Sequence, residues 1–313
     1  MSICLLRTAD SWWVQTSSTT AVRVDTTATT TAEILADRAA IHAAATGADI
    51  ALVGELALLS PVTAPCRVIA QMTNYASHVR ESGGNPDQVP LTFFRKSSAS
   101  ISGPYDDVIR PGHVRLLDYE AEIGVVVGRA VPVGTDLTAE NYTGYLAGLV
   151  VTNDVSARDV QLPQTQFYEA KSYPTFTPAG PALVLLDDDE FKRFTDLRLR
   201  LWVNGELRQN MTVHDIIFPP LQALQSLTRF QQLDAGDLLL TGTPGGTALR
   251  APGKLVQLLG SLLPAPMRWK AFFDKQAKNP KYLQDGDIVE VAVATDDGAI
   301  DLGRQRTVVR TAR

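Results

Sequence analysis

The chain has 313 residues, 45% of them apolar and 20% charged, with 34 Asp and Glu against 29 Lys and Arg for a formal charge of −5. That composition excludes a disordered or fibrous chain, and the length holds one large domain, or a large one beside a small one. The acidity argues against a nucleic-acid partner.

Two cysteines, Cys4 and Cys66, stand far apart, which excludes a disulfide framework and a thiolate zinc site. The opening MSICLLRTADSWW turns polar too soon for a signal peptide, and no apolar run reaches the roughly 18 residues of a membrane span. The expectation is a cytoplasmic chain with no membrane partner and reduced thiols.

Residues 1–65 read as a small module. The Ser/Thr-rich stretch 17–31 encloses Ala21, Val22 and Val24, which suits short strands. The Ala-rich stretch 32–48 with its Thr/Glu start predicts a helix. Pro61 and Pro65 punctuate the chain, and a second domain spans 66–313. It opens on a short buried strand at 68–70. A helical pattern follows at 75–81, and apolar strands at 123–127, 146–152 and 182–186. Leu197, Leu199, Leu201 and Val203 alternate with period two, and Asn204-Gly205 after them predicts a hairpin turn. A helix at 221–227, strands at 238–241 and 288–293, and a last hairpin turning at Asp296-Asp297-Gly298 complete the pattern. Many short strands with few helices predict a β-rich α+β fold and not a doubly wound sheet.

Glu120 and Glu122 precede and enter an apolar strand at i and i+2, so they project from one face. Two such carboxylates need water, a shared proton or a hard cation. On this fragment alone a solvent-facing strand edge is the plainer reading. Asp154, at the end of the next apolar strand, is a third oxygen ligand or simply a turn residue. Together the three would suit Mg²⁺ or Mn²⁺. His78 and Glu81 lie at i and i+3 on one helical face: a general base with a carboxylate to orient it, or an ordinary surface pair. Lys96 and Lys171 are either solvated or neutralise a substrate carboxylate or a developing enolate. The turn TGTPGG (241–246) can cradle an anion, but it is no phosphate loop.

The order of these motifs is more specific than any one of them. NYASHVRESG (74–83), TFFRKSSASISGP (92–104), LDYEAEIGVVVG (117–128), VTNDVSARDVQ (151–161), KSYPTFTPAGP (171–181), VNGELRQ (203–209) and TGTPGG (241–246) follow one another as in the fumarylacetoacetate hydrolase family. The chain resembles its bacterial acylpyruvate and 2-oxo-acid branch. The resemblance implies a mixed-sheet roll, a homodimer and a small 2-oxo or β-diketo acid substrate. It implies Mg²⁺ or Mn²⁺ on Glu120, Glu122 and Asp154. His78, Glu81 and Lys171 take the catalytic positions, and Lys96, Arg158, Gln161 and Thr243 the substrate-binding ones.

The activity it implies is hydrolysis of a C–C bond. A metal-stabilised enolate leaves after a water activated by His78 attacks. The alternatives are decarboxylation, isomerisation or hydration of a 2-oxo acid in aromatic-compound catabolism, and, in another class, a non-catalytic 2-oxo-acid-binding protein. Residues 248–282 lengthen a connection that is short in close relatives. Leu255, Val256, Leu258, Leu259, Leu262 and Leu263 followed by Pro264, Pro266, Trp269, Phe272 and Phe273 predict a helical insert there, a lid or an extension of the dimer contact.

Overall fold

The computed structural model describes residues 2–250 and 264–312. A ten-stranded mixed sheet forms its backbone. In spatial order the strands are Ile50–Leu52, Thr20–Arg23, Trp12–Gln15, Ile3–Arg7, Leu183–Leu185, Leu146–Asn153, Ala121–Val127, Leu238–Leu240, Val68–Gln71 and Phe93–Lys96. All neighbours are antiparallel except Leu238–Leu240 with Val68–Gln71. The N-terminal strands join this sheet directly, Ile3 pairing with Leu185 and Leu5 with Leu183. A second sheet has the order Glu206–Thr212, Leu197–Val203, Ile288–Thr295, Asp301–Thr311 and Val108–Arg110. The β-rich α+β expectation is met.

Period-two alternation decides which side chains meet. Ile123, Val125 and Val127 share a core with Leu199, Leu201, Val291 and Val293 of the second sheet. Val126 and Leu240 belong to a second core, which they share with Ile34 and Ile41 of two short helices. The alanine-rich stretch is therefore not one helix. It breaks at Asp37 into Thr31–Ala36 and Arg38–Ala44, because the Asp37 carboxylate caps the second helix through Ala40 N and accepts from Thr26 Oγ1 at 2.7 Å. The Asn204-Gly205 turn forms as expected, with positive φ at both residues (52° and 79°), the pair a tight hairpin requires.

Gly148 marks the tightest crossing. A Cβ there would stand 2.0 Å from the Val184 carbonyl oxygen, inside the pairing of Gly148 with Leu185. Gly148→Ala is expected to cost about 2–3 kcal/mol, read as a lower denaturation midpoint at unchanged slope. A wild-type midpoint would mean that this strand pair is not closely packed.

Beyond the Gly-rich turn, residues 251–263 of the helical insert expected at 248–282 lie outside the described residues. The helix Ala265–Gln276 follows, with Trp269 stacked on Phe273 at 5.5 Å. No helix among the described residues is long and apolar enough to cross a membrane.

Candidate metal centre

Antiparallel pairing builds the centre. Ala121 pairs with Asn153, so the residues just outside the ladder, Glu120 and Asp154, face each other across the strand ends. Two bonds fix them: Glu120 N donates to Asn153 Oδ1 (2.9 Å) and Asp154 N to the Glu120 carbonyl (2.8 Å). Glu122, one alternation on, projects beside Glu120. All three acids are buried, and one oxygen from each lies within 4.8 Å of the others.

The expected lysines are not on the surface. Lys171 Nζ bridges Glu120 Oε2 (2.6 Å) and Asp154 Oδ2 (2.7 Å), and Lys96 Nζ bonds Asp154 Oδ1 and the Phe176 carbonyl (2.9 Å). Arg158 spans Asp118 Oδ2 (2.8 Å), Glu120 Oε1 (2.6 Å) and Gln161 Oε1 (2.8 Å). Lys96, Arg158 and Gln161 thus spend these contacts on the acids, on one another or, for Lys96, on the Phe176 carbonyl. Asp118 was not singled out from the sequence. It holds Arg158 and accepts from Ala248 N and Leu249 N, which ties the centre to the chain after the Gly-rich turn.

Burial pushes the Glu120 carboxyl up, but Lys171 and Arg158 outweigh it and hold it down at about 2. Burial lowers Lys171, yet Asp154 and Glu120 overcome it and leave the ammonium above its ordinary range. Burial wins at Lys96, which falls below its ordinary range against the pull of Asp154. Glu122 is driven well above the usual carboxyl range by burial, then by Asp154 and Glu120. Among the described residues its one hydrogen-bond partner is the N–H of Gly242, 2.8 Å from Oε2.

Four buried acids (Asp118, Glu120, Glu122, Asp154) therefore meet three buried cations (Lys96, Lys171, Arg158), and Glu122 is the acid in surplus. An all-oxygen donor set with one uncompensated carboxylate fits a hard divalent cation.

The helix Ala76–Glu81 brings in His78. It docks on the Gly-rich turn: Asn74 Nδ2 reaches the Thr241 carbonyl (2.9 Å), Gly245 N donates to Ser77 Oγ (3.0 Å) and Gly246 N to Glu81 Oε2 (2.8 Å). Glycine is needed where they touch, since Gly242 has φ +85° and a Cβ there would lie 2.8 Å from Asn74 Cβ. His78 is half-buried, and among the described residues its buried Nδ1 has no hydrogen-bond partner. Burial, with Arg158 and Lys171 nearby, lowers its pKa against the pull of Glu120, so the imidazole is neutral at pH 7.

The expected contact between His78 and Glu81 is not formed. Glu81 is turned to the Gly246 N–H and to the Arg250 guanidinium, which are stronger donors than a neutral imidazole. Thr243 is buried in the turn, and its Oγ1 accepts from Gln209 Nε2 at 2.9 Å. Gln209 is the second residue that motif reading passed over. It closes VNGELRQ, and its place at the motif's end was the available signal.

Residues 67–310 match the family model for the fumarylacetoacetate (FAA) hydrolase C-terminal domain. The oxaloacetate tautomerase Fahd2a of Rattus norvegicus, a mitochondrial protein, is 37% identical over 62% of this chain, an alignment that spans 61% of its own length. The oxaloacetate tautomerase YisK of Bacillus subtilis is 30% identical over 76% of this chain and 70% of its own. The solved fumarylacetoacetate hydrolase of the psychrophile Exiguobacterium antarcticum superposes with a TM-score of 0.73 at 26% identity, covering 100% of both chains. With the ordered motifs, the mixed-sheet roll and the family match across most of its length, this chain belongs to the fumarylacetoacetate hydrolase family.

Proposed function

We propose that the protein is a metal-dependent keto–enol isomerase of a small 2-oxo acid, of the oxaloacetate type. The observation that carries this reading is His78: neutral, half-buried, beside the carboxylate–ammonium cluster and, among the described residues, not tied to a carboxylate. Such an imidazole can take a proton from the carbon next to a keto group and return it to the keto oxygen, with no net change in atoms. Glu120, Glu122 and Asp154 would hold a divalent cation, which would supply Lewis acidity toward a keto oxygen.

The Lys171 ammonium adds a second cation at the same place. Thr243 binds the carboxylate, since the N–H groups of Gly242, Gly245 and Gly246 are already given to Glu122, Ser77 and Glu81. Lys96 and Arg158 hold the acids in position, and Gln161 steadies Arg158. The two tautomerases named above are consistent with this chemistry.

Hydrolysis of a C–C bond is the second reading. It is favoured by the placing of His78 and Glu81 on one helix and by the likeness to a solved fumarylacetoacetate hydrolase. It asks for a water held and deprotonated by an oriented base, and Glu81 is engaged elsewhere. The two readings part in deuterated water with oxaloacetate and with a 2,4-dioxo acid as substrates. Isomerisation exchanges hydrogen at C3 without cleavage; hydrolysis releases two acids.

His78→Asn is expected to lower C3 exchange by about 100-fold or more while leaving the Mn²⁺-induced rise in Tm unchanged. Exchange at the wild-type rate in this variant would remove His78 from the mechanism.

A further inference from the structure

Gln209 is 1% exposed and lies between the two halves of the site. Its Oε1 accepts from the N–H of Ala121 at 2.9 Å, the residue between Glu120 and Glu122. Its Nε2 donates to Thr243 Oγ1 at 2.9 Å and to the Pro244 carbonyl at 2.8 Å. The sense of that amide is forced by its neighbours. A backbone N–H only donates and a carbonyl only accepts, so the oxygen must face Ala121 and the nitrogen Pro244.

Thr243 Oγ1 is then an acceptor from Gln209, and its own proton must be given elsewhere. Among the described residues no protein group receives it. Thr243 is 4% exposed and stands one residue beyond Gly242, whose N–H holds Glu122.

We propose that Gln209 is a positioning residue that locks the Thr243 hydroxyl as a donor toward the carboxylate of the bound acid. A freely rotating hydroxyl can offer a proton or a lone pair in any direction; here Gln209 occupies one lone pair, so the proton is turned away from Gln209 toward the open side, which favours an anion. The same side chain holds the backbone between two metal-site glutamates, so one amide sets both ends of the substrate-binding surface. The proposal rests on the 2-oxo-acid reading above.

Oxalate, a dianion that mimics the head of such an acid, separates the two by titration calorimetry at saturating Mn²⁺. Thr243→Val is expected to weaken oxalate binding roughly tenfold, and Gln209→Met about three- to tenfold. In the Thr243→Val background, Gln209→Met should cost clearly less than in wild type, because the part of its effect that runs through the hydroxyl is gone and only the bond to Ala121 remains to be lost.

Additive losses would overturn the proposal and reduce Gln209 to a brace for Ala121. So would an unchanged oxalate affinity in Gln209→Met. Failure of wild-type protein to bind oxalate at all would remove the 2-oxo-acid reading, and the proposal with it.

Should Gln209→Met not fold, Gln209→Glu keeps the outline and the bond from Ala121 but turns a donor into an acceptor. Its loss of affinity should exceed that of Thr243→Val alone and shrink in the Thr243→Val background. A loss of the same size in both backgrounds would again overturn the proposal.

Discussion

Lys171→Met is expected to destabilise the metal-free protein by about 3–5 kcal/mol, the usual consequence of removing one partner from a buried ionic network. The substitution nearly preserves volume, so the effect is electrostatic. Lys171 is the cation common to Glu120 and Asp154, and its side chain is 3% exposed. Lys96 does not stand in, because among the described residues its ammonium pairs with Asp154 and the Phe176 carbonyl and makes no ion pair with Glu120. Without Lys171 the acids shed part of their charge only by taking up protons.

A saturating divalent cation should return part of the loss, since a ligand at 100 times its Kd adds about 2.7 kcal/mol. The exposed pair Lys192–Asp189 gives the control, because Lys192→Met should move stability by less than about 1 kcal/mol. Urea denaturation of the variants with chelator and with Mn²⁺ measures all of this. A Lys171→Met protein as stable as wild type in chelator would mean that the ammonium does not neutralise the acids.

Much of this centre was legible because a strand's period of two is written in the residues. Glu120 and Glu122 had to share a face, and Asp154 had to end the next apolar strand. The register that closes the triad, Ala121 on Asn153, is not local information; only the order of motifs implied it. The lysines show the opposite case. A single Lys in a sequence reads as solvated, and what buries Lys171 is a set of carboxylates 17 and 51 residues away in the chain.

Glu81 failed to reach His78 for a similar reason. Helical spacing offered the pair, but the donors that won, at Gly246 and Arg250, are 165 and 169 residues distant. The break at Asp37 turned on a bond to Thr26 across a loop, which helix propensity does not see. Gln209 was hidden because its role is shared between two backbone segments, and neither segment is its neighbour in sequence.

The largest effect of pH should fall on Glu122. Its folded pKa lies well above the ordinary value of 4.5, because burial and the charges of Asp154 and Glu120 oppose ionisation. Above pH 4.5 the unfolded chain gives up this proton while the folded protein keeps it. The stability of the metal-free protein therefore falls as pH rises, by up to about 1.4 kcal/mol per unit for one proton, until the folded pKa is passed. Glu120, held down at about 2, acts in the other direction: its contribution is present above pH 4.5 and is lost as pH falls toward 2.

A divalent cation needs Glu122 as the carboxylate, so binding should displace about one proton in the window above pH 4.5. Mn²⁺ titrations in two buffers of different ionisation heat count that proton. Denaturation at pH 6 and pH 8 should show the gain from the cation growing with pH. Glu122→Gln should abolish the released proton, flatten the pH dependence without metal and weaken Mn²⁺ binding by at least about 100-fold. Equal heats in both buffers for wild type, or undiminished Mn²⁺ affinity in Glu122→Gln, would remove Glu122 from the ligand set and leave the surplus charge of the cluster without a partner.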